Sequence, residues 1–283
     1  MAETRFIQKA RLAGWAMMCS GVLLLASLGN AHAADAAWQD VRSEGVLRCG
    51  AAVAAPYVMR DALTGQYSGF FTDLCRDFGE KVLGVKVEFV DTNWDNLVAG
   101  VQSGAWHLAL ALNETPERKR AVAFSAPVTD YQISFVVNKE NAKFAKAGNS
   151  IQDYDQRGVR FVVMSGTAQD KLISQAIKKG TIQRLPGMDD TRLALISKRA
   201  DVLVDANDTN KLFATVHSDW AREVLPEPAL GKMPVSFGMR LNRSEADRKL
   251  LNNYITRRRE AGEIEALIDT AAQKAIAAQT SGQ

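Results

Sequence analysis

Arg118 stands three residues after Thr115 in the run Thr115-Pro116-Glu117-Arg118, and this spacing puts a guanidinium in the first turn of a helix. Threonine is a preferred N-cap and proline suits the first helical position. The helix dipole disfavours a cation there, while the free backbone N–H groups favour an anion. Arg118, Asn113 and the neighbouring amides together suit a small carboxylate. The plain alternative is that Arg118 only pairs with Glu114 or Glu117 on the surface. A second turn of the same character is Ser165-Gly166-Thr167, which offers amides and hydroxyls ahead of a helix expected over residues 170–179. Its plain alternative is a helix cap with a flexible glycine.

The elements that must hold these groups alternate in type. Residues 107–112 form an apolar run of strand length that leads straight into the helix carrying Arg118. Before it come a strand over 46–53 that ends in small residues, a helix up to Gly84 with Thr72 as N-cap, an alternating strand over 85–90 and a helix starting at Trp94. Strand, helix, strand, helix, strand is the order of an α/β unit with a mainly parallel sheet, whose ligands sit beyond the carboxyl ends of the strands. Residues 135–138 read as a strand. A second unit follows with strands over 158–164 and 200–205 and a helix over 193–199, and two helices over 244–262 and 263–278 close the chain on the first unit.

Composition limits the partners. With 35 basic and 32 acidic residues the net charge is +3, so a nucleic acid is not expected. Arg5, Lys9 and Arg11 precede an apolar run over 13–28 and the small-x-small triplet Ala31-His32-Ala33, which reads as a secretory signal peptide over residues 1–33. The mature chain, 34–283, is then exported, and no cofactor or metal is expected because no Cys-x-x-Cys occurs and His107 and His217 stand alone. Cys49 and Cys75 either close one disulfide between a strand and the next helix or remain two buried thiols.

Several motifs in one order carry a resemblance: Val46-Leu47-Arg48-x-Gly50, Pro56-Tyr57, Gly69-Phe70-x-x-Asp73-Leu74, residues 84–90, Trp94-Asp95-x-Leu97, Gln102-Ser103-Gly104 and residues 115–119. Over residues 40–275 the chain resembles the periplasmic substrate-binding proteins of ABC importers, polar amino acid type, that is, the family 3 solute-binding proteins. The resemblance implies a two-lobed α/β fold of the type II periplasmic-binding-protein kind, each lobe a mainly parallel sheet flanked by helices and joined to the other by two crossover strands. Lobe 1 would be 34–137 with 238–283, and lobe 2 would be 138–237. It further implies a monomer that captures an amino acid or related small carboxylate in the periplasm, closes on it and delivers it to a membrane permease.

Carried over by position, the resemblance makes Arg118 the clamp for the ligand's carboxylate, helped by Asn113, Ser165, Gly166 and Thr167, with Tyr57 and Ala111 also on ligand-facing positions. Trp94 is an aromatic wall or else a core tryptophan beneath the sheet. Asp205 or Asp208 accepts the ammonium group. The chain departs from the family where Ala54 replaces an aromatic, Phe71 an aspartate and Asn113 a threonine or serine. Strict register puts Ala206 at the ammonium-binding aspartate, with Asp205 one residue early and Asp208 two late. A carboxylate lacking an α-amino group is the expectation if neither aspartate reaches the ligand. Two further readings stand beside the receptor: an enzyme on the same fold resembling cyclohexadienyl dehydratase, drawing on Glu114, His107, Asp205 or Asp208, and a ligand sensor for a membrane partner.

Overall fold

The computed structural model describes residues 37–281, so the expected signal peptide lies outside the described residues. The elements in order are α1 (Gln39–Glu44), β1 (Val46–Ala51), β2 (Met59–Arg60), β3 (Tyr67–Ser68), α2 (Phe70–Asp77), β4 (Lys86–Asp91), α3 (Leu97–Ser103), β5 (Leu108–Asn113), α4 (Pro116–Ala121) and β6 (Val122–Phe124). They continue with β7 (Thr129–Asn138), β8 (Arg160–Met164), α5 (Ala168–Ala176), β9 (Thr181–Leu185), α6 (Met188–Ile196), β10 (Val202–Ala206), α7 (Asn207–Val216), β11 (Ala221–Val224), β12 (Leu230–Arg240), α8 (Glu245–Glu260) and α9 (Glu263–Ser281).

Two parallel sheets, β4-β1-β5 and β10-β8-β9, are joined through the long antiparallel strands β12 and β7 into one curled sheet. Val235 of β12 faces Asn113 of β5 on one side and Thr129 of β7 on the other, so the two crossover strands meet where the lobes divide. All six residues of β5 are buried, as a central strand of a parallel sheet covered on both faces requires. Aromatic side chains fill each half: Phe70, Phe71, Phe78 and Phe237 in the first, Phe135, Tyr154 and Phe161 in the second.

Four boundaries differ from the sequence reading. Thr72 does not cap α2: the helix begins three residues earlier, at Phe70 after Gly69, whose φ of 109° few other residues adopt, and the buried Thr72 hydroxyl donates to the Gly69 carbonyl at 2.6 Å. Trp94 precedes its helix, because the Asn93 side chain accepts the Asn96 amide at 3.0 Å and holds residues 93–96 in a turn before Leu97. The helix of the second lobe runs over Met188–Ile196 rather than 193–199, and α5 ends at Ala176 rather than Lys179. The C-terminal helix packs on both lobes. Ala275 lies in one apolar cluster with Ala55 of the first lobe and Leu212 of the second, and Met59 and Met188 pack against it.

Cys49 of β1 and Cys75 of α2 are joined in the structure, with 7.2 Å between their Cα atoms. The bond closes a loop of 26 residues. Non-reducing peptide mapping of exported protein is expected to recover the Cys49–Cys75 pair, and Cys49→Ala with Cys75→Ala to lower stability by about 3 kcal/mol, the scale of a loop that long. Two free thiols in the map would refute the bond.

Candidate functional site

Arg118 becomes a site residue through its helix start. Thr115 accepts the Arg118 N–H at 3.3 Å, Pro116 occupies the first helical position, and the first turn projects the guanidinium into the cleft between the lobes. There it is only 9% exposed. Its two side-chain hydrogen bonds go to carbonyls, Asn113 O at 3.4 Å in its own lobe and Gly166 O at 3.2 Å in the other. Neither acid offered by the surface alternative takes it: Glu114 accepts from Ser236 at 2.6 Å and pairs with Lys119 at 2.9 Å, and Glu117 lies 3.7 Å from Lys171. Burial pulls the Arg118 pKa down to about 10, and Tyr131 and Glu117 offset that only in part. The result is a buried cation with no carboxylate partner among the described residues.

The second lobe carries two acids. Asp205, 5% exposed near the end of β10, accepts from its neighbour's amide, Ala206 N, at 2.8 Å and from Gln169 Nε2 at 3.1 Å. Burial pushes its pKa up, against those two bonds and the charge of Arg192. Asp208 lies one step farther, at the start of α7, where it accepts from Tyr57 Oη at 2.9 Å across the lobes; burial raises it too. Asp205 and Ala206 both line a small internal cavity of about 20 Å³ together with Ala54, Tyr57, Trp94, Asn113, Tyr131, Met164, Gln169 and Thr209. Three buried polar atoms on these walls lack any partner: Trp94 Nε1, Tyr131 Oη and Gln169 Oε1. Two donors and an acceptor around one space of this size suit a water-sized polar group in the lobes' present arrangement.

Trp94 also lines the outer vestibule, a space of about 300 Å³ with Asp95, Thr115, Glu117, Arg118, Gly166, Thr167 and Lys171. It therefore stands between the two spaces rather than beneath the sheet. Of the Ser165-Gly166-Thr167 turn, the Thr167 hydroxyl caps α5, accepting from Asp170 N at 3.1 Å and donating to Met164 O at 2.7 Å, while Ser165 Oγ donates to Asp95 at 3.1 Å across the cleft. Ala111 has a φ of 54°, unusual for a residue with a Cβ. It belongs to a bulge in which Leu110 and Ala111 together stand opposite Phe237, and the bulge re-aims the end of β5, where Asn113 joins the cavity wall.

Asp95, Tyr131 and Gln169 were missed by sequence reasoning. Gln169 follows the anion-suited turn and one helical turn carries it onto the wall, a signal within reach of the sequence, whereas nothing in the sequence points to Tyr131 on its crossover strand. His107 and Glu114 do not join the cavity. His107 precedes β5, about 20 Å along the strand from Asn113. Its Nδ1 accepts from Arg48 N at 3.0 Å, and burial, with the nearby Arg48 guanidinium, holds its pKa down at about 4.

The two-lobed sheet agrees with what comparison finds. The sequence pattern of the bacterial extracellular solute-binding proteins, family 3, matches residues 47–273. The chain belongs to this family. A relative from Campylobacter jejuni named "Probable histidine-binding protein" is 30% identical over 148 residues, covering 52% of this chain and 54% of the relative. The chain thus spans about half the length of the curated relatives it matches. Among solved structures, an ancestral amino acid-binding protein described as a precursor of cyclohexadienyl dehydratase is 27% identical, with a TM-score of 0.73 over 82% of this chain and 97% of its own. An amino acid ABC transporter substrate-binding protein from Streptococcus pneumoniae, bound to L-arginine, shares the fold at 22% identity and a TM-score of 0.75, covering 84% of this chain and 99% of its own. Like these, the family 3 protein described here is two-lobed, and no helix among its described residues is long and apolar enough to cross a membrane.

Proposed function

We propose that the protein is a periplasmic receptor that captures an α-amino acid between its lobes and delivers it to an ABC permease. One observation carries the reading: Arg118, a buried cation without an acid partner, lines the outer space, Asp205, a buried acid, lines the inner one, and Trp94 stands on both. A zwitterion with its carboxylate on Arg118 and its ammonium on Asp205 satisfies both at once. The same ligand bridges the lobes and so favours their closure, since it gains both sets of contacts only in the closed form. Two relatives named for binding histidine or amino acids support this class.

In this reading residues 1–33 are a cleaved signal peptide, lobe 1 is 34–137 with 238–283, lobe 2 is 138–237, and the protein acts as a monomer without cofactor. Tyr57, Trp94, Ala111, Asn113, Ser165, Gly166 and Thr167 shape the rest of the site, and Tyr131 and Gln169 offer further polar contacts. The likeness to a dehydratase precursor keeps an enzyme as the second reading. Asp205 and Asp208, both raised by burial, are the acids that such a reaction would draw on. A receptor needs no proton transfer, and the cation-acid pair alone accounts for it.

Thermal unfolding of the mature protein, freed of ligand by denaturation and refolding, tests this against L-amino acids, dicarboxylates and aromatic acids. An amino acid at a hundred times its dissociation constant is expected to add about 2.7 kcal/mol, roughly 5–10 °C for a chain of this size. A shift only with acids lacking an amino group would remove Asp205 as ammonium acceptor. Turnover of any panel member without a shift would favour the enzyme.

A further inference from the structure

Arg192 is a second buried guanidinium, set on α6 behind the cleft wall. It is 8% exposed, its Nη2 has no hydrogen-bond partner, and among the described residues no carboxylate reaches ion-pair distance of it. Its guanidinium lies 5.5 Å over the ring of Phe213. The acids whose charge acts on it are first Asp205, on the strand against which α6 packs, and then Asp189. A buried cation without a direct partner is costly to keep, so its position invites a reason.

We infer that Arg192 is a positioning residue, the fixed positive charge at one remove that keeps Asp205 anionic inside the cleft. The inference rests on the reading that Asp205 receives the ligand's ammonium. A carboxylate this buried tends to take up a proton and lose the charge that an ammonium needs. A guanidinium in direct contact would prevent that but would also occupy the lone pairs meant for the ligand. At one remove the charge acts through space and leaves the carboxylate oxygens to Gln169, the Ala206 amide and the guest. Arginine fits the role because it stays charged at neutral pH even when buried.

Arg118 lines the neighbouring space, Lys211 acts on Asp208 and Glu223, and the remaining groups around Asp205 are acidic or weakly so. Tyr57 of the first lobe and Tyr131 of β7 both feel its charge, Asp208 of α7 is tied to Tyr57, and Glu223 lies on β11. His217, beyond α7, faces Arg192 and is held below its usual range by burial and by that charge. Of these cations Arg192 is the one whose charge lowers Asp205.

Carbon-13 NMR of the aspartate carboxyls in ligand-free protein tests this, with Asp205→Asn identifying the resonance. Arg192→Met is expected to raise the Asp205 midpoint by about one pH unit, a tenfold change in proton affinity. Arg192→Lys is expected to restore most of it. A merely structural Arg192 would change the unfolding temperature and leave the midpoint where it was, and that result overturns the inference. Should the methionine variant not fold, Arg192→Gln is read in the same way. The midpoint needs no ligand, so it is independent of calorimetry with L-histidine and L-arginine on Asp205→Asn. Unchanged binding there would refute the ammonium reading without touching the charge relation.

Discussion

Arg118→Met is expected to bind ligand a hundredfold to a thousandfold more weakly and yet to unfold at a higher temperature than the wild type when no ligand is present. The first half follows from removing one member of a desolvated charge pair, which costs about 2–5 kcal/mol. The second follows from the same burial. Burial pulls the Arg118 pKa down to about 10, well below the usual guanidinium range, so its charged form carries a penalty of about 3 kcal/mol in the folded protein. The sign is that of a base with a lowered folded pKa: from about 10 up to the usual guanidinium value the unfolded chain holds the proton more tightly, stability rises with pH there, and at neutral pH the whole penalty is present. Methionine removes it at the loss of two long hydrogen bonds to carbonyls, each worth about 1 kcal/mol. A net gain of about 1 kcal/mol, a few degrees, remains. Calorimetry and a melting curve on the one variant decide the matter. Unchanged affinity removes the carboxylate clamp, and a large drop in melting temperature makes Arg118 a structural residue.

Such opposed effects are expected where a fold holds a group for its guest rather than for itself. That pattern was legible in the sequence at Arg118 because the signal is local: a strand period that stops, a threonine, a proline and a cation where the dipole disfavours one. The α/β order of the chain was legible for the same reason. Across the cleft, legibility ended. The strand period allowed only one of Asp205 and Ala206 to face the ligand, yet both line the cavity, because β10 ends at Ala206 and α7 begins at Asn207. At a strand's last residues the backbone is already turning, so strict alternation no longer separates the faces. Trp94 was ambiguous while it was taken as helical, and the Asn93 turn that frees it is a single side-chain bond. Tyr131 had no local signal. Its role comes from β12 and β7 meeting at the hinge, a pairing between residues about a hundred positions apart in the sequence.

Gly166→Ala is expected to weaken binding at least tenfold while leaving each lobe folded, because the added methyl group acts between the lobes. Gly166 has a φ of 73°, a region that costs a residue with a Cβ about 1–2 kcal/mol. Its strain alone would not reach the ligand. A Cβ at this position, however, would sit 2.3 Å from Asp95 Oδ1 and 2.7 Å from Asp95 N, both on the other wall of the cleft. The side-chain oxygen can swing away, but the backbone nitrogen can move only if the lobes part. Parting also lengthens the contact between Arg118 and Gly166 O and the one between Ser165 and Asp95, so the closed form loses two bridging hydrogen bonds with the steric fit. A ligand that draws its affinity from both walls binds a wedged-open cleft through one wall only. Small-angle scattering with saturating ligand is expected to show a larger radius of gyration than the wild type, and Asp95→Ala in the same chain to recover only part of the affinity, since the backbone clash persists. A ligand-bound Gly166→Ala protein as compact and as tight as the wild type would mean that closure does not run through this contact.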